Sequence, residues 1–378
     1  MPDEYDPMRE MGFVDDREVV LEPQGILTPA NTTRDLCESL IPNGGKVFDL
    51  IERYDMITTL VLNNSGTDNG TLTYLAPILK AFGATDYSLS RFFTENIPLT
   101  NNAAGTMRYF LDIMPVFMDS MMYEHAADAI CEKTGVPLDV TGSCALELDN
   151  FRMPVTEARE IRKMAAEIAK LRIPNDEYEA DAPLELDADE VKLVNVLDDI
   201  FQSRMKQGVA YEIMQETSSV GLSEKAYALL DIRKSTQVDL DGIMYAGSES
   251  SDYQVLDLVR DGGGLALSFN GTEAAVHGAD VAVISDDTTV LTFLGSVFFD
   301  TGVQGVMDLA ETWDRDHLKN GEFPDPNLAS ELLAMYPRSL PEVYLITDEN
   351  RDEVSVRSEA FRKKLIKRAK LRAAKKAE

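Results

Sequence analysis

The last third of the chain alternates between strand and helix, and this alternation limits the fold more than any other feature of the sequence. The apolar pattern predicts helices and strands over these ranges in turn: helix 223–234, strand 242–246, helix 252–261, strand 265–269 and strand 281–284. Strands separated by helices run parallel, because a parallel pair needs a crossover connection, and the helices then cover both faces of the sheet. Ligands bind such sheets beyond the carboxyl ends of the strands. We therefore expect an α/β sandwich with its functional site at that edge.

The rest of the sequence divides around this α/β core. A chain of 378 residues with 44% apolar residues can bury more than one structural unit. Two stretches have helical spacing and no strand signal, which predicts helical insertions into the core. The expected organisation is an acidic leader (1–16), a core in parts (17–45, 99–144 and 222–345), a first cap insertion (46–98), a second, largely helical cap insertion (145–221) and a basic helical tail (346–378).

Charge is unevenly distributed along the chain. The formal net charge is −30, which argues against DNA and against general nucleic-acid binding, because phosphates would be repelled. The segment 362–378 is the exception, with nine basic residues and one acidic residue. Such a tail could dock an acidic protein partner, RNA or an anionic membrane, although a solvated helical end is the simpler interpretation. The acidic stretch 176–190 is expected to be a solvated loop.

The cysteine and histidine content makes several classes of site improbable. Cys37, Cys131 and Cys144 have no Cys-x-x-Cys spacing, so neither a disulfide framework nor a zinc or iron–sulfur site is indicated. Only three histidines are present. No run of eighteen apolar residues occurs, which predicts a cytoplasmic protein without a transmembrane segment.

Polar residues follow three of the expected strands, and a lysine precedes the last of them. The strand Glu18-Val19-Val20-Leu21 breaks into a loop at Glu22. In chain order the motifs are Glu22-Pro23-Gln24-Gly25, Ser120 after the strand 114–118, Lys225 in Ser223-Glu224-Lys225-Ala226, and Gly247-Ser248-Glu249-Ser250-Ser251-Asp252. This series resembles the four motifs of the haloacid dehalogenase (HAD) superfamily of aspartate-dependent phosphohydrolases. The segments 262–271 and 37–54 also resemble an archaeal, methanogen group of that superfamily described as energy-converting hydrogenase A subunit R.

The resemblance implies a HAD-like Rossmannoid three-layer sandwich with a parallel central sheet and helical caps. It places Glu22 at the position of the nucleophile and Gln24 at that of the general acid/base. Ser120 and Lys225 would bind phosphate oxygens, and Mg²⁺ would be held by Glu22, Glu249 and Asp252.

Three positions depart from the family pattern. Glu22 is one methylene longer than the expected aspartate, and a displacement of about 1 Å in the attack geometry can cost roughly a hundredfold in rate. Gln24 cannot transfer a proton, and the loss of general acid/base catalysis lowers the rate by a further ~10²–10⁴-fold. Ser248 stands where the fourth motif has an aspartate, so we expect Mg²⁺ binding to be weak or absent.

Three functions remain open on these grounds. The favoured one is a HAD-like protein with a degraded phosphohydrolase site that binds a phosphorylated small molecule or a protein complex; whether it is an enzyme is uncertain. The alternatives are a Mg²⁺-dependent phosphatase and an accessory subunit of an archaeal hydrogenase-type complex. Each site residue also has a structural interpretation: a strand-end carboxylate for Glu22, a turn residue for Ser120, a solvated surface lysine for Lys225 and a helix N-cap for Asp252.

Overall fold

A single sheet organises the chain, seen in a computed structural model that describes residues 16–29, 31–61, 70–137, 141–174, 186–217 and 224–377. Its strands are β1 (Glu18–Leu21), β2 (Val116–Tyr123), β3 (Thr141–Cys144), β4 (Ile243–Gly247), β5 (Leu265–Phe269), β6 (Val281–Ile284) and β7 (Glu342–Leu345). The strand order is β3-β2-β1-β4-β5-β6-β7. All neighbouring pairs are parallel except β6 and β7, which are antiparallel. Because β1 is an interior strand, between β2 and β4, and is buried on both faces, it reads as a continuous apolar run after Glu18.

Helices cover both faces of the sheet. They are α1 (Thr32–Leu40), α2 (Gly44–Met56), α3 (Thr71–Ala81), α4 (Asp86–Asn96), α5 (Ala103–Ile113), α6 (Glu124–Thr134), α7 (Val155–Ile168), α8 (Ala188–Asp198), α9 (Gly208–Glu216), α10 (Glu224–Thr236), α11 (Tyr253–Asp261), α12 (Glu273–His277), α13 (Thr289–Glu311), α14 (Arg315–Asn320), α15 (Pro326–Met335) and α16 (Arg351–Ala377). The helix α11 contacts β4 and β5, and α10 contacts β2. Side chains of β1 alternate between two core clusters, with Val20 in one and Val19 and Leu21 in the other. The architecture is therefore the expected α/β sandwich.

The two predicted helical insertions pack against each other. The helix α3 contacts α7 and α9, and α2 contacts α8. Across this contact the rings of Tyr74 and Phe201 stack with centroids 4.2 Å apart, and the buried side chains of Arg53 and Glu190 form an ion pair at 2.9 Å. The hydroxyl of Tyr123, at the end of β2, donates to a backbone carbonyl in the first turn of α3 at 2.7 Å. The helical unit therefore abuts the carboxyl end of β2.

The helix α13 is the one described helix that is long and apolar enough to cross a membrane. Its most apolar stretch is 56% buried within the protein, and it contacts α5, α15 and β7. The backbone leaves the helical conformation at Gly302, where φ is +73°. These contacts make α13 a helix of the protein core.

Most predicted elements are present, with three differences. The strand expected to end at residue 118 continues to Tyr123, so Ser120 lies within β2 and not in a loop after it. Neither β3 nor β7 was predicted: each has four residues, β3 contains a glycine and β7 is only partly buried, so neither carries a strong apolar signal. The leader to residue 15 and residues 176–185 of the acidic stretch lie outside the described residues. The loop predicted for that stretch is wrong at residues 188–190, which form the first turn of α8 after the N-cap Asp187.

Candidate functional site

A buried ion cluster lies at the carboxyl edge of the sheet, where β1 and β4 end. The ammonium Nζ of Lys225 is 2.5 Å from Oε2 of Glu22 and 2.6 Å from Oδ1 of Asp252. Glu22 follows β1, Lys225 is the second residue of α10, and Asp252 immediately precedes α11. The side chains of Lys225 and Asp252 are fully buried and that of Glu22 is 2% exposed. Parallel β1 and β4 end side by side, which is why residues more than 200 positions apart meet here.

The loop after β1 is held by the side chains of its own motif. The second carboxylate oxygen of Glu22, Oε1, accepts from the backbone N–H of Gln24 at 2.9 Å. Oε1 of Gln24 in turn accepts from the backbone N–H of Thr32, the first residue of α1, at 3.3 Å. Both oxygens of Glu22 are therefore engaged, and Gln24 connects the loop to the next helix.

Asp252 organises the loop after β4. Its Oδ2 accepts from the backbone N–H groups of Ser248 and Glu249 at 2.7 and 2.8 Å. Its Oδ1 accepts from Lys225 and from the hydroxyl of Tyr245 at 3.2 Å. Asp252 stands at the N-cap position of α11, but its side chain makes no capping bond to that helix. A carboxylate with this number of donors is fixed in one orientation.

The strand β2 adds two buried polar side chains beside the cluster. Leu21 pairs with Met118, so Asp119 and Ser120 follow in β2 at the level of Glu22. The carboxylate oxygens of Asp119 and the hydroxyl of Ser120 are buried and make no hydrogen bond to any described residue. Burying polar atoms without hydrogen-bond partners is costly, so these two side chains lower the stability of the folded protein.

Burial and charge shift the proton affinities of the cluster. Burial raises the pKa of Glu22 to about 7, against the opposing effect of the Lys225 charge. Burial likewise raises the pKa of Asp119 to about 7, again opposed by Lys225. Burial acts to lower the pKa of Lys225, but the neighbouring carboxylates of Asp252, Glu22 and Asp119 outweigh it, and the net direction is upward. Lys225 therefore remains an ammonium, while two of the surrounding carboxyl groups titrate near neutrality.

The C-terminal helix α16 reaches the same edge and contributes an arginine. The guanidinium of Arg362 donates to the carbonyl oxygen of Ser248 at 3.0 Å and to its Oγ at 2.7 Å. It also forms an ion pair with Glu249. The side chain of Arg362 is 16% exposed. The tail expected to extend into solvent is thus attached, through this residue, to the loop after β4.

A glycine permits the close approach of the loops after β1 and β4. Gly25 has φ of +85°, and a Cβ at this position would lie 2.2 Å from Oγ of Ser248 and 3.3 Å from Nη1 of Arg362. A side chain at residue 25 would therefore collide with the loop after β4. The second distance shows that the Arg362 guanidinium, which is bonded to the loop after β4, is also close to the loop after β1.

The residues predicted to hold Mg²⁺ are arranged in a way that does not suit this ion. Both oxygens of Glu22 and both oxygens of Asp252 already accept hydrogen bonds from protein donors. The side chain of Glu249 is paired with Arg362, and the backbone N–H of Glu249 donates to Asp252. Among the described residues no three acidic, histidine or cysteine side chains are grouped to bind a metal ion. Since Mg²⁺ requires several oxygen ligands free of other cations, the side chains as placed do not fit it.

The structure brings together only part of the set predicted from the sequence. Glu22, Lys225 and Asp252 meet directly, Gln24 supports the loop beside them, Ser120 lies one strand away without a bond to them, and Glu249 faces Arg362. The sequence reasoning missed Asp119, Tyr245 and Arg362. A charged residue directly after the apolar run 116–118 was a usable signal for Asp119. Nothing local marks Arg362, which lies 340 residues from Glu22 in the chain.

Comparisons with known proteins give a shared fold and no family. No protein-family model matches the chain, and no curated protein matches it. A solved structure of a gene product from Archaeoglobus fulgidus is similar over 93% of this chain and 97% of that one, with a TM-score of 0.72 and 20% identity. This similarity establishes a common fold over nearly the whole length.

Two structures titled as phosphoserine phosphatases also align, at 12% and 13% identity. They cover 73% and 74% of this chain and 97% and 99% of their own, with TM-scores of 0.43 and 0.41. Scores at this level do not establish a common fold.

Proposed function

We propose that this chain is a HAD-like protein that has lost efficient phosphoryl transfer and acts by binding. One observation carries the proposal: the carboxylate at the nucleophile position, Glu22, is enclosed and bonded to Lys225. A nucleophile must reach phosphorus, and the lysine of such a site must reach a phosphate oxygen. Here each group is the other's partner, and both are shielded from a substrate.

The neighbouring residues support the same conclusion. Gln24 is neutral at every pH and cannot protonate a leaving group. Its amide oxygen is used to hold the start of α1. The described residues around the cluster also lack a ligand set suited to Mg²⁺, and a phosphoryl group needs a cation or several donors to offset its charge.

The surroundings favour a protein partner over a phosphorylated small molecule. The Lys225 ammonium is fully buried and already donates to two carboxylates, which leaves a single N–H for a phosphate oxygen. Two shallow, open surface depressions of about 420 and 430 Å³ lie elsewhere. One is at the amino end of β2, lined by 111–117 and Pro137, and the other lies along α16. Binding to a protein complex through an outer surface therefore requires less rearrangement than binding a phosphate within the cluster.

An activity measurement tests this proposal. The purified protein is incubated with Mg²⁺ and a chromogenic phosphomonoester, and Lys225→Ala serves as the control. We expect the rate for the natural sequence to equal that of the control. Magnesium-dependent turnover that Lys225→Ala abolishes would show that phosphoryl transfer has been kept.

The convergence of Glu22, Lys225 and Asp252 at one edge supports a second candidate, a Mg²⁺-dependent phosphatase in which Glu22 attacks phosphorus or orients water. This candidate requires the Lys225 pair to open when substrate binds. Glu22→Gln keeps the shape of the side chain and removes the nucleophile, so it separates the two functions. A measurable natural activity that is lost in Glu22→Gln supports the phosphatase, and an unchanged rate in that variant excludes it.

A further inference from the structure

The helix α16 crosses the carboxyl edge of the sheet and makes contacts with successive loops. Val354 packs with Val276 and Ala282 beside β6. One turn further along, the hydroxyl of Ser358 donates to the carbonyl of Gly271, after β5, at 2.8 Å. Arg362 then reaches the loop after β4. The helix is therefore fixed over the site by its amino-terminal half.

The carboxyl-terminal half continues toward the helix that follows β1. The ammonium of Lys370 is 3.3 Å from Asp35 and 3.0 Å from Glu38, both in α1. These pairs are more exposed than that of Arg362, and exposed pairs each contribute little to stability. Their direction is informative, because they continue the line of contacts from β6 across to the element after β1. Arg362 lies in the middle of this line.

The guanidinium of Arg362 is surrounded by oxygen atoms, as a bound metal cation would be. It is bonded to a backbone carbonyl, a hydroxyl oxygen and a carboxylate, all from the loop Ser248–Glu249. A Cβ built at Gly25 would lie 3.3 Å from its Nη1, so the guanidinium is also close to the loop after β1. Oxygen atoms of these three kinds, between two loops at the carboxyl edge, are ligands that a hard divalent cation would otherwise take.

We propose that Arg362 supplies the fixed positive charge between these two loops and excludes a divalent cation from that position. A guanidinium is charged at every physiological pH and is weakly hydrated, so it can remain half-buried where an ammonium would be less favourable. This inference rests on the proposed function, because a protein that binds without phosphoryl transfer needs no exchangeable metal. It also gives the basic tail a specific role as an internal ligand of the chain's own site.

Mn²⁺ binding, measured by electron paramagnetic resonance at physiological ionic strength, tests the inference without reference to catalysis. The background variant is Ser248→Asp, which adds a carboxylate for the ion. Arg362→Met in this background removes the charge and keeps much of the volume. Arg362→Lys keeps a charge, and Arg357→Met removes an arginine of the same helix that pairs with Glu342 away from the site. Because the chain has a net charge of −30, weak binding to its surface is common to all four proteins and cancels in the comparison.

We expect Ser248→Asp/Arg362→Met to bind Mn²⁺ at least about tenfold more tightly than the other three proteins. Equal affinity of Ser248→Asp/Arg357→Met and Ser248→Asp/Arg362→Met would overturn the inference, and so would the absence of any gain in a folded Arg362→Met variant. Circular dichroism establishes folding. The natural protein gives an independent measurement: a single saturable Mn²⁺ site that disappears in Glu249→Gln would also overturn it. None of these outcomes depends on phosphatase activity, so failure here and failure of the proposed function are separate results.

Discussion

Replacing Lys225 by methionine tests whether the buried ion cluster depends on its single cation. Methionine fills much of the same volume but leaves the carboxylate of Glu22 and that of Asp252 without the ammonium that bonds to both. Removing one partner of a buried ion pair costs about 3–5 kcal/mol, because the remaining charge stays desolvated. The expected loss of unfolding free energy at about pH 8 is in that range.

The loss should be smaller in acid, and its sign follows from the raised pKa of Glu22. A carboxyl group with a pKa raised in the folded state from 4.5 to about 7 stabilises the protein most below its unfolded value. That contribution is lost as the pH rises through the folded value. Without Lys225 the pKa of Glu22 in the folded state rises further, so the variant loses most unfolding free energy above about pH 7. Near pH 5, Glu22 is protonated in both proteins. The part of the cost that comes from Glu22 falls there to its lost hydrogen bond, about 1–2 kcal/mol, and the lost bond to Asp252 adds to the cost at both pH values.

Urea unfolding followed by circular dichroism at the two pH values measures this difference. Lys234→Met is the matched control, because Lys234 lies on the same helix and is exposed. The control should change stability by less than about 0.5 kcal/mol at either pH. The reasoning is refuted if Lys225→Met costs the same in acid and base, or no more than Lys234→Met.

Three further changes test neighbouring features by the same unfolding measurement. Asp119→Asn removes a buried carboxylate whose pKa is raised to about 7. In the natural protein the stability that this group contributes when protonated is lost as the pH rises toward 7, so the variant should be more stable by about 1–2 kcal/mol near pH 8 and equally stable near pH 4. A less stable variant at pH 8 would contradict the raised pKa. Gly25→Ala and Gly83→Ala both place alanine at positive φ, but of the two only residue 25 has atoms within 4 Å of the new Cβ. Gly83→Ala should therefore cost about 1 kcal/mol of unfolding free energy, and Gly25→Ala at least about 2 kcal/mol more. Equal costs would mean that the loops after β1 and β4 can separate freely. Arg53→Met removes the buried ion pair between Arg53 and Glu190 at 2.9 Å and should destabilise the protein by about 3–5 kcal/mol. A cost under about 1 kcal/mol would show that the two helical insertions do not depend on this pair.

Much of the fold could be predicted because its elements have strong local signals. The strands at Glu18–Leu21, Leu265–Phe269 and Val281–Ile284 and the helix Thr32–Leu40 have the bounds that the apolar pattern and the flanking residues indicate. The edge strand Glu342–Leu345 could not be found in this way, since a strand that is partly exposed need not be apolar. Its antiparallel pairing with β6 is a property of the folded chain.

The candidate site was predictable in position and less so in detail. Glu22 follows the end of β1 and Asp252 lies in the loop after β4, and parallel strands bring their carboxyl ends to one edge whatever the sequence between them. Lys225 was equally consistent with a surface lysine, and only its helix packing against the sheet buries it. Ser120 lies inside β2, where its hydroxyl makes no hydrogen bond to a described residue.

The sequence by itself determined that this chain forms a mostly parallel α/β sheet with helical insertions, and that Glu22 and Gln24 follow its first strand. These properties follow from local periodicity and from the chemistry of single side chains. Only the tertiary structure decided which charges meet: Lys225 with Glu22 and Asp252, and Arg362 with Glu249. The physical reason is that the interaction energy of two charges depends on their separation and burial in space, and neither quantity is set by their distance along the chain.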